Sequence, residues 1–495
     1  MSNLKKRLSI LAFLVLFALP LVWYCGTTWN SNADDLITTL ISLENWTFFF
    51  WQQSRFGTFV MLLAKPFTDM RSNLLFQNFL HAFSLIIFIY AVSRVFYQNQ
   101  KNEKSRTFTY ISLVLIFLLS NLVYLKLLIS GIPYAEPLGL FGISLLLVNS
   151  NLKRIIVLPS IIALIATSCW INPLNGYYLA PLLILFLSLK KFKNVFYELA
   201  LSYLLVNFGF FFIILGVANG EQGGIVPPNF LPFKIYNWWL PLILIQLLLV
   251  SQAIYRRQFK INQFTYYGFF LTWISIYALT TLRHIYVNSE ATRYFITAVF
   301  VSMCITMRQL EELISESRIL EGKISKLLNL LSKKKVLAGS LLLLLLANFF
   351  IARNLVSDYP LRQPQKKLLG SIFKNNSDTY RFASGDFWYA WPTKLYVSKP
   401  EDVFVTALRS QFQYDPSTET KKEIRARLKS GDVGLCFGEV KKCERELRSS
   451  VLRMYASLNY QVDVTDLGQI VDSPILVHKL RLEITSKKIL NYALS

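Results

Sequence analysis

The stretch Leu74–Ser93, LLFQNFLHAFSLIIFIYAVS, decides what kind of protein this is. It holds no Asp, Glu, Lys or Arg and ends at Arg94. A bilayer core of about 30 Å needs about 20 apolar residues as helix, so this run is long enough to cross a membrane. Comparable runs recur near 8–26, 107–125, 131–149, 155–171, 176–190, 195–217, 235–255, 264–282, 291–307 and 336–352. Composition agrees: 54% of the 495 residues are apolar and 16% charged, whereas soluble chains carry roughly 25% charged residues. Disordered, collagenous, coiled-coil and disulfide-rich classes are excluded by the same figures.

The sense of threading follows from the basic residues. Lys5–Arg7, Arg94–Arg106, Lys153-Arg154, Lys190–Lys193, Arg256–Lys260 and the region 308–335 fall on one side. The other side holds Arg55, Lys65, Arg71, Lys126, Arg283 and Arg293. The apolar stretch between Phe56 and Phe67 is too short to span, and a crossing there would invert this bias. It is read as lying along or dipping into the interface. The N-terminus is therefore expected in the cytoplasm and everything after about 355 outside. The first span has a basic start but no small-residue cleavage site before Cys25, which reads as an uncleaved anchor. The net charge of +23 is then an orientation signal with affinity for anionic lipid, not a nucleic-acid surface.

The expected fold is an all-α polytopic membrane protein of about eleven spans with a C-terminal extracytoplasmic α+β domain. Residues 1–355 form the transmembrane part, with a first outer loop at 27–73 that carries interfacial helices. Residues 308–335 read as a cytoplasmic amphipathic helix. From 356 to 495 charges mix with alternating stretches such as 394–408 and 475–483, and Glu423–Lys429 has helical character.

Ionisable residues inside spans mark pathways and sites. Here they are few, with His81 and Glu198 the main ones, and the charges gather instead at the outer rim. A coupled transporter needs charges at mid-membrane, whereas an enzyme acting on a lipid headgroup needs them at the interface. Asp34-Asp35 reads either as a helix N-cap or as a carboxylate pair with one pKa raised toward that of a general base. Trp46, Trp51 and their phenylalanine neighbours read as an aromatic belt or as an interfacial helix that walls a site and holds Arg55 at phosphate depth. Glu136, in Gly131–Pro137, reads as an interfacial loop residue or as a second acid. Glu290 and Arg293 have the spacing of an i,i+3 pair; alternatively Arg283, His284 and Arg293 grip a phosphate. Gly385–Trp391 could present aromatic faces to sugar. Cys436 and Cys443, together in the outer domain, are expected to form a disulfide in an oxidising compartment. Cys25, Cys169 and Cys304 read as apolar fillers. No zinc, nucleotide-phosphate or serine-hydrolase motif occurs, so no metal or cofactor is expected.

The layout of a first span, an acidic pair in the outer loop, and Trp51-x3-Arg55-Phe56-Gly57 resembles the GT-C glycosyltransferases. It is most similar to the branch of serotype-converting O-antigen glucosyltransferases. The resemblance implies transfer of a sugar, a hexose, from a polyprenyl-phosphate donor to a glycan or lipid acceptor on the outer face of a bacterial plasma membrane. Asp34 or Asp35 would take the acceptor proton. Arg55, Arg283 and Arg293 would hold the phosphate, and Glu136 would orient the acceptor or second the base. One base opposite one leaving group implies inversion at the anomeric carbon. The other readings of the chain are a lipid-linked saccharide transporter or flippase and a polysaccharide ligase.

Overall fold

The structure is a computed structural model that describes residues 12, 14–16, 18–19, 33–43, 46, 48–50, 53–96, 134–148, 150, 152–172, 346, 362–373, 380–397, 403–407, 429–455, 460–471 and 476–486. The chain divides into two compact units. One comprises Met1–Tyr24, Ser54–Val60 and Asn78–Leu355; the other comprises Cys25–Gln53, Met61–Gln77 and Val356–Ser495. Parts of the segment 27–73 thus cluster with the C-terminal region.

In chain order the first described elements are helix α1 (Ala33–Leu43), strands β1 (Phe49–Phe50) and β2 (Gln53–Gly57), the short helix α2 (Phe59–Ala64), and helices α3 (Met70–Phe96), α4 (Ala135–Val148) and α5 (Arg154–Ile171). Helix α3 contains the one segment among the described residues, Met70–Val92, that is long and apolar enough to cross a membrane. Its 27 residues span about 40 Å, roughly 10 Å more than a bilayer core. Arg94 stands in its last turn. The surplus therefore falls at the start, where Arg71, Ser72, Asn73, Gln77 and Asn78 replace the apolar run. Asp69 caps this end: its Oδ2 accepts the backbone N–H of Ser72 at 2.8 Å, and its carbonyl accepts that of Asn73.

Helices α3 and α4 run in the same direction. His81 meets Glu136, Ser84 faces Gly139, and Phe88 faces Gly142 and Phe141. A Cβ on Gly139 would collide with the backbone and side chain of Ser84, so glycine there lets the two backbones touch. In lipid, where no hydrophobic gain drives helices together, such close packing through small residues is what holds them. Helix α5 follows a short connection and returns alongside α4, with Ser168 Oγ donating to the carbonyl of Pro137 at 3.1 Å. Its exposed side chains include Ile155, Ile156 and Ile162, as expected of a helix whose solvent on that face is lipid.

The 56–67 segment is the end of β2 followed by α2, whose six residues reach about 9 Å, far less than a bilayer core. The aromatic stretch 45–57 corrects the expectation of an interfacial helix, because Phe49–Phe50 and Gln53–Gly57 are extended and pair as a two-stranded sheet. Crowded β-favouring aromatics explain the outcome. The runs at 107–125 and from 176 to 307, the amphipathic segment 308–335 and all of Glu423–Lys429 but its last residue lie outside the described residues. So do most positions of the runs at 8–26 and 336–352.

The C-terminal region carries helices α6 (Arg362–Phe373), α7 (Phe387–Ala390) and α8 (Val440–Tyr455), with strands β3 (Phe382–Gly385), β4 (Phe404–Ala407), β5 (Val433–Phe437), β6 (Tyr460–Val471) and β7 (Val477–Ser486). The sheet order is β4-β3-β5-β7-β6. Strand β3 pairs in parallel with β4 and β5, and β7 is antiparallel to both β5 and β6. Among the described residues of the alternating stretch 394–408, Phe404–Ala407 are strand and Trp391–Leu395 is a 3-10 turn. Helix α8 covers the sheet, and Cys443, Leu447, Phe382, Cys436, Val462, Leu480 and Leu482 form the core between them. A disulfide joins Cys436 on β5 to Cys443 on α8.

Candidate functional site

In the helical unit, polar residues converge at the end where α4 begins and α5 finishes. Glu136 stands in the first turn of α4 and is 4% exposed; His81 is 2% exposed. Nδ1 of His81 meets Oε1 of Glu136 as an ion-pair contact, and both carboxylate oxygens are buried without a hydrogen-bond partner among the described residues. The expectation of an interfacial loop carboxylate is corrected: Glu136 is helical, buried and paired. A carboxylate in a low-dielectric interior needs such a partner, since losing one member of a buried pair costs about 3–5 kcal/mol.

Two further contacts fix this layer. Ser168 Oγ binds the carbonyl of Pro137, next to Glu136. Two residues on, Trp170 packs edge-on against Phe59, with ring centroids 6.0 Å apart, and lies directly against Gly57. Any side chain at Gly57 would strike both the indole and the Trp170 carbonyl. The glycine of Arg55-Phe56-Gly57 is therefore needed for close approach, and it anchors the end of β2 to the helix that also braces Glu136. Arg55 is placed by its backbone, two residues before Gly57 in β2.

In the other unit, the backbone puts Asp34 and Asp35 in the first turn of α1. Leu36, Ile37, Leu40 and Ile41 form the buried face of this helix at helical spacing. Helix α1 packs against α7 and the 3-10 turn of the C-terminal region. Its far end is tied by a buried network. Ser42 Oγ donates to the Met61 carbonyl at 2.8 Å, and Asn73 Nδ2 donates to Ser42 Oγ and to the carbonyls of Ala64 and Phe67. Gln77 Nε2 donates to Asn73 Oδ1 at 2.7 Å.

In the stretch Gly385–Trp391, Tyr389 is half-buried and Trp391 buried. Tyr389 stacks on Phe437, with centroids 6.1 Å apart. Burial, reinforced by nearby Asp386, pushes the Tyr389 phenol up. Trp46 is half-buried. Trp51, Arg283, His284 and Arg293 lie outside the described residues. Among the described residues no cluster of His, Cys, Asp and Glu could hold a metal ion. His81 as the partner of Glu136 is the feature that residue spacing did not supply. Its one signal was an ionisable side chain inside an apolar run.

The chain aligns with the crystal structure of ArnT from Cupriavidus metallidurans bound to undecaprenyl phosphate at a TM-score of 0.53 and 10% identity, covering 95% of this chain and 98% of that one. The fold is ArnT-like. The apo ArnT crystal structure aligns at a TM-score of 0.49 and 10% identity, covering 96% of this chain and 98% of that one. No protein family matches the sequence, and no curated protein is similar to it by sequence.

Proposed function

We propose that this chain is an integral-membrane glycosyltransferase that moves a sugar from a polyprenyl-phosphate donor to a glycan or lipid acceptor at the outer face of a bacterial plasma membrane. The observation that carries the reading is the ArnT-like fold over 95% of the chain, since the ArnT structure holds undecaprenyl phosphate, a lipid of the required class. The acids support it. Asp34-Asp35 opens α1, and Glu136 is buried at one end of the helical unit.

In this reading Asp34 or Asp35 accepts the proton of the acceptor hydroxyl as the new glycosidic bond forms. Arg55, Arg283, His284 and Arg293 hold the phosphate as it departs and gains charge. Such a leaving group requires no proton from an acid. Glu136 orients a hydroxyl, Trp46 and Trp51 lie at headgroup level beside the sugar, and the product has inverted anomeric configuration. The sugar is a hexose, as the likeness to the O-antigen branch implies.

The test is transfer of radiolabelled hexose from defined polyprenyl-phosphate donors by the purified chain, compared with Asp34→Asn and Asp35→Asn. Loss of transfer in one of the two variants supports the assignment. Full transfer in both removes the base from the scheme, and a wild type that transfers nothing removes the enzyme.

A further inference from the structure

The His81–Glu136 contact has features that a purely structural ion pair does not need. It lies eleven residues into α3, about 16 Å from its start, and about 5 Å beyond Asn78, where the polar start of that helix ends. Ionisable groups at such depth are costly to keep there. The backbones on either side are locked: Gly139 abuts Ser84 one turn further along both helices, and Ser168 ties Pro137 to α5. The two side chains are thus held in one arrangement by packing around them.

Within that arrangement Oε1 lies against the histidine ring as an ion-pair contact, Oε2 faces no donor, and no hydrogen bond reaches either oxygen among the described residues. A buried carboxylate oxygen left without a donor costs free energy. A structural acid would be selected to satisfy both oxygens or be replaced by an apolar residue. What the free oxygen lacks is an O–H or N–H donor, and sugars are dense in hydroxyls.

We propose that His81 is a positioning residue: it holds Glu136 Oε1 so that Oε2 accepts a hydrogen bond from a hydroxyl of the sugar substrate. This rests on the glycosyltransferase reading above and adds to it the residue that aims the acid. The histidine touches no substrate and acts through the carboxylate alone.

The experiment uses the purified full chain in lipid nanodiscs, with radiolabelled hexosyl undecaprenyl phosphate as donor and bacterial envelope glycolipid as acceptor. His81→Leu removes the ring nitrogen. His81→Asn returns an N–H near the position of Nδ1. Expected results are a fall in kcat of about a hundredfold for His81→Leu, the scale of a displaced reacting group, with the KM for donor little changed, and recovery of most of that loss in His81→Asn. His81→Leu combined with Glu136→Gln is expected to be no slower than Glu136→Gln alone. Thermal unfolding accompanies each assay. Should His81→Leu not fold, the His81→Asn and double variants decide. Wild-type rates in folded His81→Leu, or His81→Asn no faster than His81→Leu, overturn the inference and leave the transferase reading standing. A wild type that transfers no sugar overturns both.

Discussion

Asn73, at the start of the long helix α3, donates from Nδ2 to Ser42 Oγ at 2.8 Å across 31 positions of sequence. The same amide serves the carbonyls of Ala64 and Phe67, so one side chain fastens α1, α2 and the turn before α3 together.

Asn73→Ala is therefore expected to destabilise the chain by about 1–3 kcal/mol, because it removes the donor to Ser42 Oγ and to the Phe67 carbonyl and strands the Gln77 amide. Asn73→Asp is expected to be worse, since it sets a carboxylate against those carbonyl oxygens. Thermal unfolding in detergent followed by tryptophan fluorescence measures both. Equal stability of the two variants would contradict the network.

Gly57→Ala places a methyl group against Trp170 and its carbonyl. Overpacking of this kind costs about 1–3 kcal/mol. Shortening Trp170 relieves only the indole part, so Gly57→Ala with Trp170→Phe is expected to recover part of the loss. Unfolding temperature reads both. Sugar transfer is expected to fall further than stability if Arg55, two residues away, grips phosphate.

Reduction of the Cys436–Cys443 bond is expected to cost the C-terminal region about 2.5 kcal/mol, from loop-closure entropy at a sequence separation of 7. Cys436→Ser with Cys443→Ser should show the same loss without reductant and no further response to it. Limited proteolysis of β5 and α8 is the direct readout.

Asp69 is held below the ordinary carboxylate range mainly by the backbone N–H of Ser72, with partial burial opposing. A folded-state pKa below the unfolded value means that its contribution is present above the unfolded pKa. It is lost as pH falls through the folded one, below about pH 4. Asp69→Asn caps a helix comparably but does not titrate, so it should flatten the acid limb of the stability curve. Asp69→Ala should cost about 1 kcal/mol at neutral pH.

The length of apolar runs was enough to locate α3, α4 and α5, because a membrane-crossing helix needs one continuous stretch. Rules of sequential spacing could not reach the His81–Glu136 pair. The two residues belong to helices far apart in the chain, and their register is set by Gly139 and Gly142, whose importance lies in what they omit. The aromatic stretch around Trp46 reads as a belt or as an interfacial helix, and of the two the helix fails because 49–50 and 53–57 are extended; crowded Phe and Trp favour both an interface and a strand. The aromatics of Gly385–Trp391 are rich enough to suggest a sugar platform, but Tyr389 and Trp391 are spent on packing beside α1. Cys436 and Cys443 were legible as partners because seven positions and one compartment leave little alternative.

The shared direction of α3 and α4 bears on how the protein is made. His81 leaves the ribosome long before Glu136, and the two can meet only after the chain has doubled back so that α4 enters from the end where α3 entered. Until then the histidine waits in the bilayer without its acid. A lesion that made the intervening chain insert in the wrong sense would deliver Glu136 to the opposite leaflet. The pair can therefore form only once α4 lies beside α3.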